Sequence, residues 1–554
     1  MGQNFRLYQS GMRADSFAIL ESAFARRMRE RGCALGGDEG YQVRIEVVPG
    51  LREGEYSIVP ETNGVCASVA DDCAAFAAMG EWLTRSLFDG EVGFRPMEAP
   101  VSFAPERPVR GMYFATHFHN FYHVAPIEKV YDQIEDVALR GGNTLAVWYD
   151  MHHYTSIDQP ESVEMIARLK KFLRYAKAIG MQTVLSMLSN ESFDGSPQKM
   201  RAQSKPQNGY KAVLDGFYGV EICPNCEGGI EEIVRQRRLM LETFRDVQPD
   251  FVTFWPYDQG GCTCEKCAPW GANGLLKLYP HFRKVLAEVM PGTGIIFSTW
   301  YFDLFIDGEW DAFYKKVEQG AIEGAAYLMD FFPRGRTPEC IARGGLPNGM
   351  KMLAFPEISM YGARPWGGFG ANPLPAFLQE SNDQGMPLYD GQMCYSEGIF
   401  EDVNKTIMLY ACSGRQPDAH KAAADYARME FFTENTDEIV HLMDLLERAL
   451  PRPEIREKDT IRYPIESPET VEEAARLADA IDARLSENAQ KNWRWRILYL
   501  RAKIDEALWK YDGRPSPESD RWMNELKEIY CVTKDTLWVV MPPTADFIAW
   551  RMSL

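Results

Sequence analysis

Residues 251–267 read Phe251-Val-Thr-Phe-Trp-Pro-Tyr-Asp-Gln-Gly-Gly-Cys-Thr-Cys-Glu-Lys-Cys267. The first five residues form a mainly apolar run that predicts a short buried strand. Asp258 comes soon after this run, and two glycines and a group of cysteines follow it. A carboxylate at the carboxyl end of a buried strand, in a structured loop, is typical of the functional end of a (β/α)8 barrel.

The pattern of strand, loop and helix recurs from Arg110 onwards. Eight runs predict strands: Gly111–Thr116, Thr144–Tyr149, Thr183–Met187, Phe251–Trp255, Gly294–Trp300, Ala325–Met329, Met352–Phe355 and Gln392–Tyr395. Four segments between them predict helices: Pro126–Arg140, Pro160–Ile179, Glu227–Val247 and Gly274–Val289. This alternation predicts an α/β fold, a (β/α)8 TIM barrel. The rival, a doubly wound open sheet, would usually carry a GxGxxG loop after its first strand, and none follows it here.

The barrel has a predicted domain on each side. Residues 1–104 predict a small N-terminal α/β domain, and four prolines between Pro96 and Pro108 mark its end. Its predicted elements are helices Asp15–Arg31 and Val69–Leu87 and strands Tyr41–Val48 and Gly54–Val59. Residues 105–410 are then the barrel, and residues 411–554 predict a C-terminal helical domain. The helices predicted there are Pro417–Phe432, Asp437–Leu450, Pro468–Ala489 and Trp493–Tyr511.

Composition excludes several classes of partner. The formal net charge of −19 over 554 residues argues against a nucleic acid or an anionic membrane surface. The sequence contains no run of 18 apolar residues, and its first residues lack the pattern of a signal peptide. We therefore expect a cytoplasmic protein whose twelve cysteines are thiols or metal ligands rather than disulfides. The sequence does not determine the oligomeric state, and a homo-oligomer is one of the states that it allows.

Polar and aromatic residues follow almost every predicted strand, and in a barrel these strand ends share one rim. The predicted substrate-binding residues are His117, His119, Asp150, His152, His153, Glu191, Tyr257, Trp300, Asp330, Arg364, Trp366 and Tyr395. Carboxylates and histidines can hydrogen-bond hydroxyl groups, and aromatic rings can stack on the C–H face of a sugar. The rim therefore predicts a carbohydrate ligand.

Three carboxylates at the strand ends are catalytic candidates. Hydrolysis of a glycosidic bond needs two carboxyl groups, one protonated and one ionised. Asp258 follows strand four and Glu357 follows strand seven, which lie across the barrel mouth from each other, and Glu397 after strand eight is the alternate partner. This pattern predicts a glycoside hydrolase that requires no cofactor for catalysis.

The cysteines predict a structural metal site beside this loop. Cys223 and Cys226 form one CxxC unit, Cys264 and Cys267 form a second, and Cys262 is a substitute ligand. Two such units are typical of a four-thiolate zinc site. The alternative is a set of buried free thiols that pack as small apolar groups.

Several segments resemble the broad group of glycoside hydrolases that contains family 20 hexosaminidases and family 67 α-glucuronidases. Arg110-Gly-Met-Tyr113 resembles the family 20 entry strand, and Asn143–Asp150 resembles its second strand with the terminal aspartate. Residues 258–267 and 395–404 resemble the strand-four loop and the segment that leads into the helical domain in relatives of that group. The resemblance implies the same architecture and reaction class.

The chain departs from family 20 at two places, and at one of them the family's sugar-binding arginine after strand one is replaced near His119. That family has an Asp-Glu pair after strand four, whereas this chain has Asp258-Gln259. The departure leaves a non-catalytic carbohydrate-binding protein on the same scaffold as an alternative function. His117 and His119 also resemble the first motif of metal-dependent amidohydrolases, which leaves a metal-dependent hydrolase as a further alternative function. The histidines that such enzymes need after strands five and six are not found at those strand ends.

Overall fold

The computed structural model describes residues 4–36, 40–89, 93–211, 217–258, 260–332, 336–359, 362–415, 417–533 and 541–553. Gln259 lies outside these described residues. Within them the chain forms an N-terminal α/β region, a closed parallel barrel and a region of C-terminal helices.

The N-terminal region is built around a mixed six-stranded sheet. Its elements are β1 (Asn4–Ser10), α1 (Ala14–Glu30), β2 (Ala34–Leu35), β3 (Tyr41–Val47), β4 (Tyr56–Glu61), β5 (Gly64–Val69), α2 (Asp72–Arg85), β6 (Leu87–Asp89), β7 (Gly93–Arg95) and β8 (Val101–Phe103). The strand order is β2-β1-β3-β5-β4-β8, with β6 and β7 forming a separate hairpin. Both predicted helices and both predicted strands are confirmed. Helix α2 begins later than predicted because Val69 ends β5, and the Asp71 side chain caps the helix by accepting from the Ala74 N–H.

The barrel contains all eight predicted strands. Its elements are β9 (Val109–Phe114), α3 (Phe121–Val124), α4 (Ile127–Leu139), β10 (Thr144–Trp148), α5 (Pro160–Ile179), β11 (Gln182–Ser186), α6 (Gly229–Phe244), β12 (Phe251–Phe254), α7 (Leu276–Val289), β13 (Gly294–Ser298), α8 (Glu309–Val317), β14 (Tyr327–Asp330), α9 (Glu339–Gly344), β15 (Met352–Ala354), α10 (Pro375–Gly385), β16 (Gly391–Ser396) and α11 (Asp402–Cys412). Each strand is parallel to its neighbours, and β16 pairs with β9 to close the barrel. The predicted (β/α)8 fold is confirmed.

Side chains from alternate strand positions fill the barrel. Val109, Ala146, Val184, Ile296 and Leu353 form part of this buried interior cluster. The other face of each strand packs under the surrounding helices in a larger core. Since successive side chains of a strand point to opposite faces, strands buried on both faces are mainly apolar, as the sequence indicates.

The C-terminal region is helical, as predicted. Its elements are α12 (Ala419–Phe431), α13 (Asp437–Arg448), β17 (Ile455–Arg456), β18 (Ile461–Arg462), α14 (Pro468–Asp482), α15 (Glu487–Lys491), α16 (Trp493–Lys510), α17 (Pro517–Ile529) and α18 (Ala545–Ser553). The single helix predicted over Pro468–Ala489 is two helices, because the Ser486 side chain accepts from the Ala489 N–H and caps a new helix there. None of the helices in the described ranges has the length and apolar character needed to cross a membrane.

A buried ion network joins the three regions. Arg27 of α1 donates two hydrogen bonds of 2.8 Å to Glu430 of α12. Arg140, at the end of α4, pairs with Asp402 of α11 at 2.7 and 2.8 Å. Arg494 of α16 bonds Asp402 at 2.8 Å, and these side chains are at most 4% exposed. Burial favours the protonated form of Glu430 and so raises its pKa. The positive charges of Arg27, Arg494 and Arg140 have a larger opposite effect, and the pKa of Glu430 is lowered to about 2.

The Glu430→Gln variant should lower the free energy of unfolding by about 3–5 kcal/mol, because it leaves buried guanidinium groups without their counter-charge. Since the pKa of Glu430 falls on folding, its contribution is complete above the unfolded value of 4.5 and is lost as the pH falls toward 2. Urea denaturation at neutral pH measures the loss. The control is Glu487→Gln, which breaks an exposed pair with Lys491 and should leave stability unchanged. Equal stability of the two variants would contradict a supporting role for the network.

Candidate active site

A cavity of about 310 Å³ opens at the carboxyl ends of the barrel strands. Its described lining residues are Tyr113, His117, Phe118, Trp148, Ser186, Met187, Leu188, Tyr218, Thr253, Trp255, Asp258, Trp300, Tyr301, Phe355, Glu357, Trp366, Tyr395 and Glu397. The cavity therefore brings together the three carboxylates predicted to be catalytic. It also contains four of the residues predicted to bind substrate: His117, Trp300, Trp366 and Tyr395.

Aromatic rings form most of the cavity surface. We call the following residues the aromatic wall: Tyr113, Trp148, Trp255, Trp300, Phe355 and Tyr395. The ring of Trp255 lies 6.0 Å from that of Trp300 and 4.7 Å from that of Phe355. Tyr113 continues the wall, with its ring 5.5 Å from Phe355 and 5.6 Å from Tyr395. Such a surface offers flat apolar faces around a small group of polar side chains.

Sequence reasoning missed four members of this wall, namely Tyr113, Trp148, Trp255 and Phe355. These four lie within or at the end of the strands. A period-two signal was available, because each lies two residues beyond another inward-facing position. Trp148, for example, follows the inward-facing Ala146 on β10. Tyr218 and Tyr301, which come from loops, carry no comparable signal.

Asp258 lies in the loop after β12 and has a left-handed backbone conformation with φ of 77°. Aspartate adopts this conformation more readily than most residues other than glycine. The indole N–H of Trp300 donates to Asp258 Oδ1 at 3.1 Å. This hydrogen bond holds the Asp258 carboxyl group beside the Trp300 indole in the cavity lining.

Glu357 follows β15 and is paired through its backbone with Tyr395 of β16 in an isolated parallel bridge. Its side chain is half-buried against the aromatic wall. Burial raises the pKa of Glu357 to about 7, because the low-dielectric surroundings disfavour the charged form. A carboxyl group with this pKa carries a proton over much of the neutral range and can release it.

Glu397, after β16, is buried more deeply and is 1% exposed. The Tyr395 hydroxyl donates to Oε1 at 2.7 Å, and Oε2 is buried without a hydrogen-bond partner among the described residues. Burial raises the pKa of Glu397 to about 8, and the nearby charges of Glu401 and Glu357 add to the shift. Glu397 is therefore protonated at neutral pH.

His117 is the histidine that lines the cavity. Its ring contacts the indole of Trp148 edge-on at 5.0 Å, and Nδ1 is buried without a partner among the described side chains. Burial lowers the pKa of His117 to about 3. The ring is therefore neutral and presents one donor and one acceptor. His119 lies outside the cavity lining, where its ring packs against His123 at 4.9 Å.

Four other predicted substrate-binding residues form a hydrogen-bonded cluster that lies outside the cavity lining. His153 Nδ1 lies 2.6 Å from Asp150 Oδ2, and His152 Nδ1 lies 3.0 Å from Glu191 Oε1. Although burial disfavours both charges, the first pair raises the pKa of His153 and lowers that of Asp150. Asp150, His152 and His153 each have a potential metal-ligand atom within 4.8 Å of the others. The hydrogen bond between His152 and Glu191 links the segment after β10 to the segment after β11.

Three more predicted residues lie outside the cavity lining. Tyr257 is fully buried and donates from its hydroxyl to Glu309 at 3.0 Å, so it packs beneath the rim. Asp330 accepts hydrogen bonds from the Thr299 hydroxyl at 2.7 Å and from the Phe331 N–H. Its side chain is therefore bonded at the end of β14. Arg364 is exposed on the loop after β15.

A compact group of cysteines lies beside the loop of Asp258. Cys223, Cys262, Cys264 and Cys267 have sulfur atoms within 4.8 Å of one another. Cys262, which we expected only as a substitute, takes the place of Cys226. The sulfur of Cys226 instead lies 3.1 Å from the carbonyl oxygen of Cys223, because the chain turns there into α6.

Neither a protein-family model nor a curated protein sequence matches the chain. Solved structures do match it. A GH138 enzyme that targets the pectin rhamnogalacturonan II is 11% identical, with a TM-score of 0.55 over 99% of this chain and 78% of that one. A GH115 4-O-methyl-α-glucuronidase specific for decorated arabinogalactans is 11% identical, with a TM-score of 0.59 over 98% and 78%.

A GH20 β-N-acetylhexosaminidase from Streptomyces coelicolor is 13% identical, with a TM-score of 0.54 over 78% of this chain and 92% of that one. Family 20 is one of the two families that the sequence resembles. The chain therefore shares its fold with glycoside hydrolases of several families.

Proposed function

We propose that the protein is a glycoside hydrolase that uses Asp258 and Glu357 as its two catalytic carboxyl groups. The observation that carries the proposal is their different surroundings within one cavity. Burial raises the pKa of Glu357 to about 7, whereas the Asp258 side chain accepts a hydrogen bond of 3.1 Å from the Trp300 indole N–H. Glycosidic cleavage needs two carboxyl groups in different roles, one that donates a proton and one that acts as a carboxylate.

In this mechanism Glu357 is the general acid. It donates its proton to the oxygen of the departing sugar or aglycone, so that the C–O bond breaks without forming an alkoxide. Asp258 faces the positive charge that develops on the ring, and it acts either as the nucleophile or as the base that activates water. Glu397, neutral and held by Tyr395, donates a hydrogen bond to a sugar hydroxyl.

The lining favours an uncharged sugar. Among the described residues that line the cavity none is lysine or arginine, whereas three are carboxyl residues. A sugar carboxylate would thus find no cationic partner among the described lining residues, at a cost in electrostatic free energy. The aromatic wall suits the apolar face of a neutral pyranose. We therefore propose aryl glycosides of neutral sugars as the first substrates to assay, with aryl glucuronides as the matched comparison.

One alternative function has support from the sequence. Gln259, which stands where family 20 has a glutamate, favours a protein that binds carbohydrate without cleaving it. Turnover of any aryl glycoside by the wild-type protein, lost in the Asp258→Asn variant, supports the hydrolase. Saturable sugar binding without turnover across the panel would favour the alternative.

The rate should depend on pH in a direction set by Glu357. Its raised pKa means that the acid form predominates below about pH 7 and disappears above it. We therefore expect kcat/KM to fall about tenfold for each pH unit well above 7. Initial rates between about pH 6 and 9, with stability checked at each pH, test this expectation. A flat profile over that range, or the same alkaline limb in the Glu357→Gln variant, would contradict the assignment.

A further inference from the structure

The four clustered cysteines belong to two different loops of the barrel. Cys223 lies in the long loop between β11 and α6, and the other three lie in the loop between β12 and α7. The sulfur of Cys223 is 3.9 Å from the sulfur of Cys264 and 3.9 Å from that of Cys267. A disulfide bond would need about 2.05 Å, and all four residues are free thiols.

These spacings match a tetrahedral metal site. Thiolate sulfurs bind zinc at about 2.3 Å, which places the sulfurs of a regular tetrahedron about 3.8 Å apart. Cys262 and Cys267 are fully buried, Cys223 is nearly so, and Cys264 is half-buried. Three of the four cysteines are thus shielded from water, and Cys264 is partly exposed.

Hydrogen-bond donors surround the sulfur atoms. The backbone N–H of Asn225 donates to Cys223 Sγ at 3.4 Å, and that of Gln203 donates to Cys262 Sγ at 3.4 Å. The side-chain amide of Asn225 donates to Cys267 Sγ at 3.0 Å. Donors aimed at sulfur stabilise thiolates and are the usual outer shell of a thiolate metal site. Free thiols packed as apolar groups would not require them.

We propose that Cys223, Cys262, Cys264 and Cys267 bind one structural Zn²⁺. The ion joins the loop after β11 to the loop after β12, and Asp258 lies four residues before the first ligand of the second loop. Four protein ligands leave no open position, so the ion holds this loop in place and does not take part in catalysis.

The matched pair of variants for this proposal is Cys267→Ser and Cys226→Ser. Both cysteines belong to CxxC units in the same region, but only Cys267 is in the cluster. We expect about one zinc per chain by elemental analysis of the purified full-length wild type and of Cys226→Ser, and at least a several-fold lower content in Cys267→Ser. Wild type without stoichiometric metal, or equal zinc loss in both variants, would overturn the proposal.

Two measurements on the wild type keep the test decisive if Cys267→Ser does not fold. Replacement of the ion by Co²⁺ should give the visible absorption bands of tetrahedral thiolate coordination. Removal of the ion by a strong chelator should increase hydrogen exchange in residues 260–270 while α16 keeps its protection. Octahedral cobalt spectra, or unchanged exchange in this loop after complete zinc removal, would count against the site.

Discussion

Replacing Glu357 by glutamine should lower kcat/KM by about 10²–10⁴-fold for a glycoside with a poor leaving group. Glutamine keeps the shape of the side chain but has no acidic proton to transfer to the leaving group, so the barrier should rise by about 3–5 kcal/mol. The loss should be much smaller with a dinitrophenyl glycoside, because this leaving group departs without protonation. Initial-rate kinetics on the two substrates measure the difference.

The matched control is Glu397→Gln in the same cavity. Glu397 is protonated at neutral pH, so a neutral amide should replace it closely, and its oxygen can still accept from the Tyr395 hydroxyl. We expect this variant to stay within about tenfold of the wild type on both substrates. If Glu397→Gln instead shows the larger loss and the dependence on leaving group, Glu397 is the acid and the assignment of Glu357 is wrong.

The sequence predicted the fold well because a parallel barrel makes its strands easy to recognise. Each of the eight strands is buried on both faces, so it appears as a short apolar run between loops and helices. Elements with weaker patterns were missed or merged. In β1, apolar and polar residues alternate little. β5 carries the small residues Gly64, Cys66, Ala67 and Ser68, which do not distinguish a strand from a helix.

The candidate site could be predicted only in part from the sequence. Position at a strand end indicated Asp258, Glu357 and Glu397, which all line the cavity, since all parallel strands of a barrel end on one side. It did not separate residues that face the cavity from those that bond to neighbouring loops, such as Asp150 and Glu191. That distinction depends on the direction in which each loop side chain points, and the neighbouring residues in the sequence do not determine this direction.

For the same reason, contacts between distant segments could not be predicted from the sequence. The pairing of Arg27 with Glu430 spans 403 residues, and nothing local to either one indicates the other. The cysteine cluster shows an intermediate case. Spacing alone identified the two loops, but the choice of Cys262 over Cys226 depends on how the chain turns into α6.

Replacing Asp258 by asparagine should lower kcat/KM by at least about 10²–10⁴-fold for good and poor leaving groups alike. The variant lacks the negative charge that the developing positive charge on the sugar requires, and this need does not depend on the leaving group. Asparagine accepts the left-handed backbone of this position as readily as aspartate, so the loop should keep its conformation. Circular dichroism and thermal unfolding should match the wild type.

A second variant at the same position shows whether the lost group is the nucleophile or base. Asp258→Gly keeps a backbone with positive φ at no steric cost and leaves a space beside the Trp300 indole. Azide should enter that space, attack the anomeric carbon in place of the carboxylate or its activated water, and restore turnover with a glycosyl azide as product. Trp300→Phe, which removes the N–H donor but keeps an aromatic ring, should lose far less activity than either aspartate variant. If Asp258→Asn keeps near-wild-type rates, or azide leaves Asp258→Gly inactive, the carboxylate opposite Glu357 is another group, because hydrolysis cannot proceed from the acid alone.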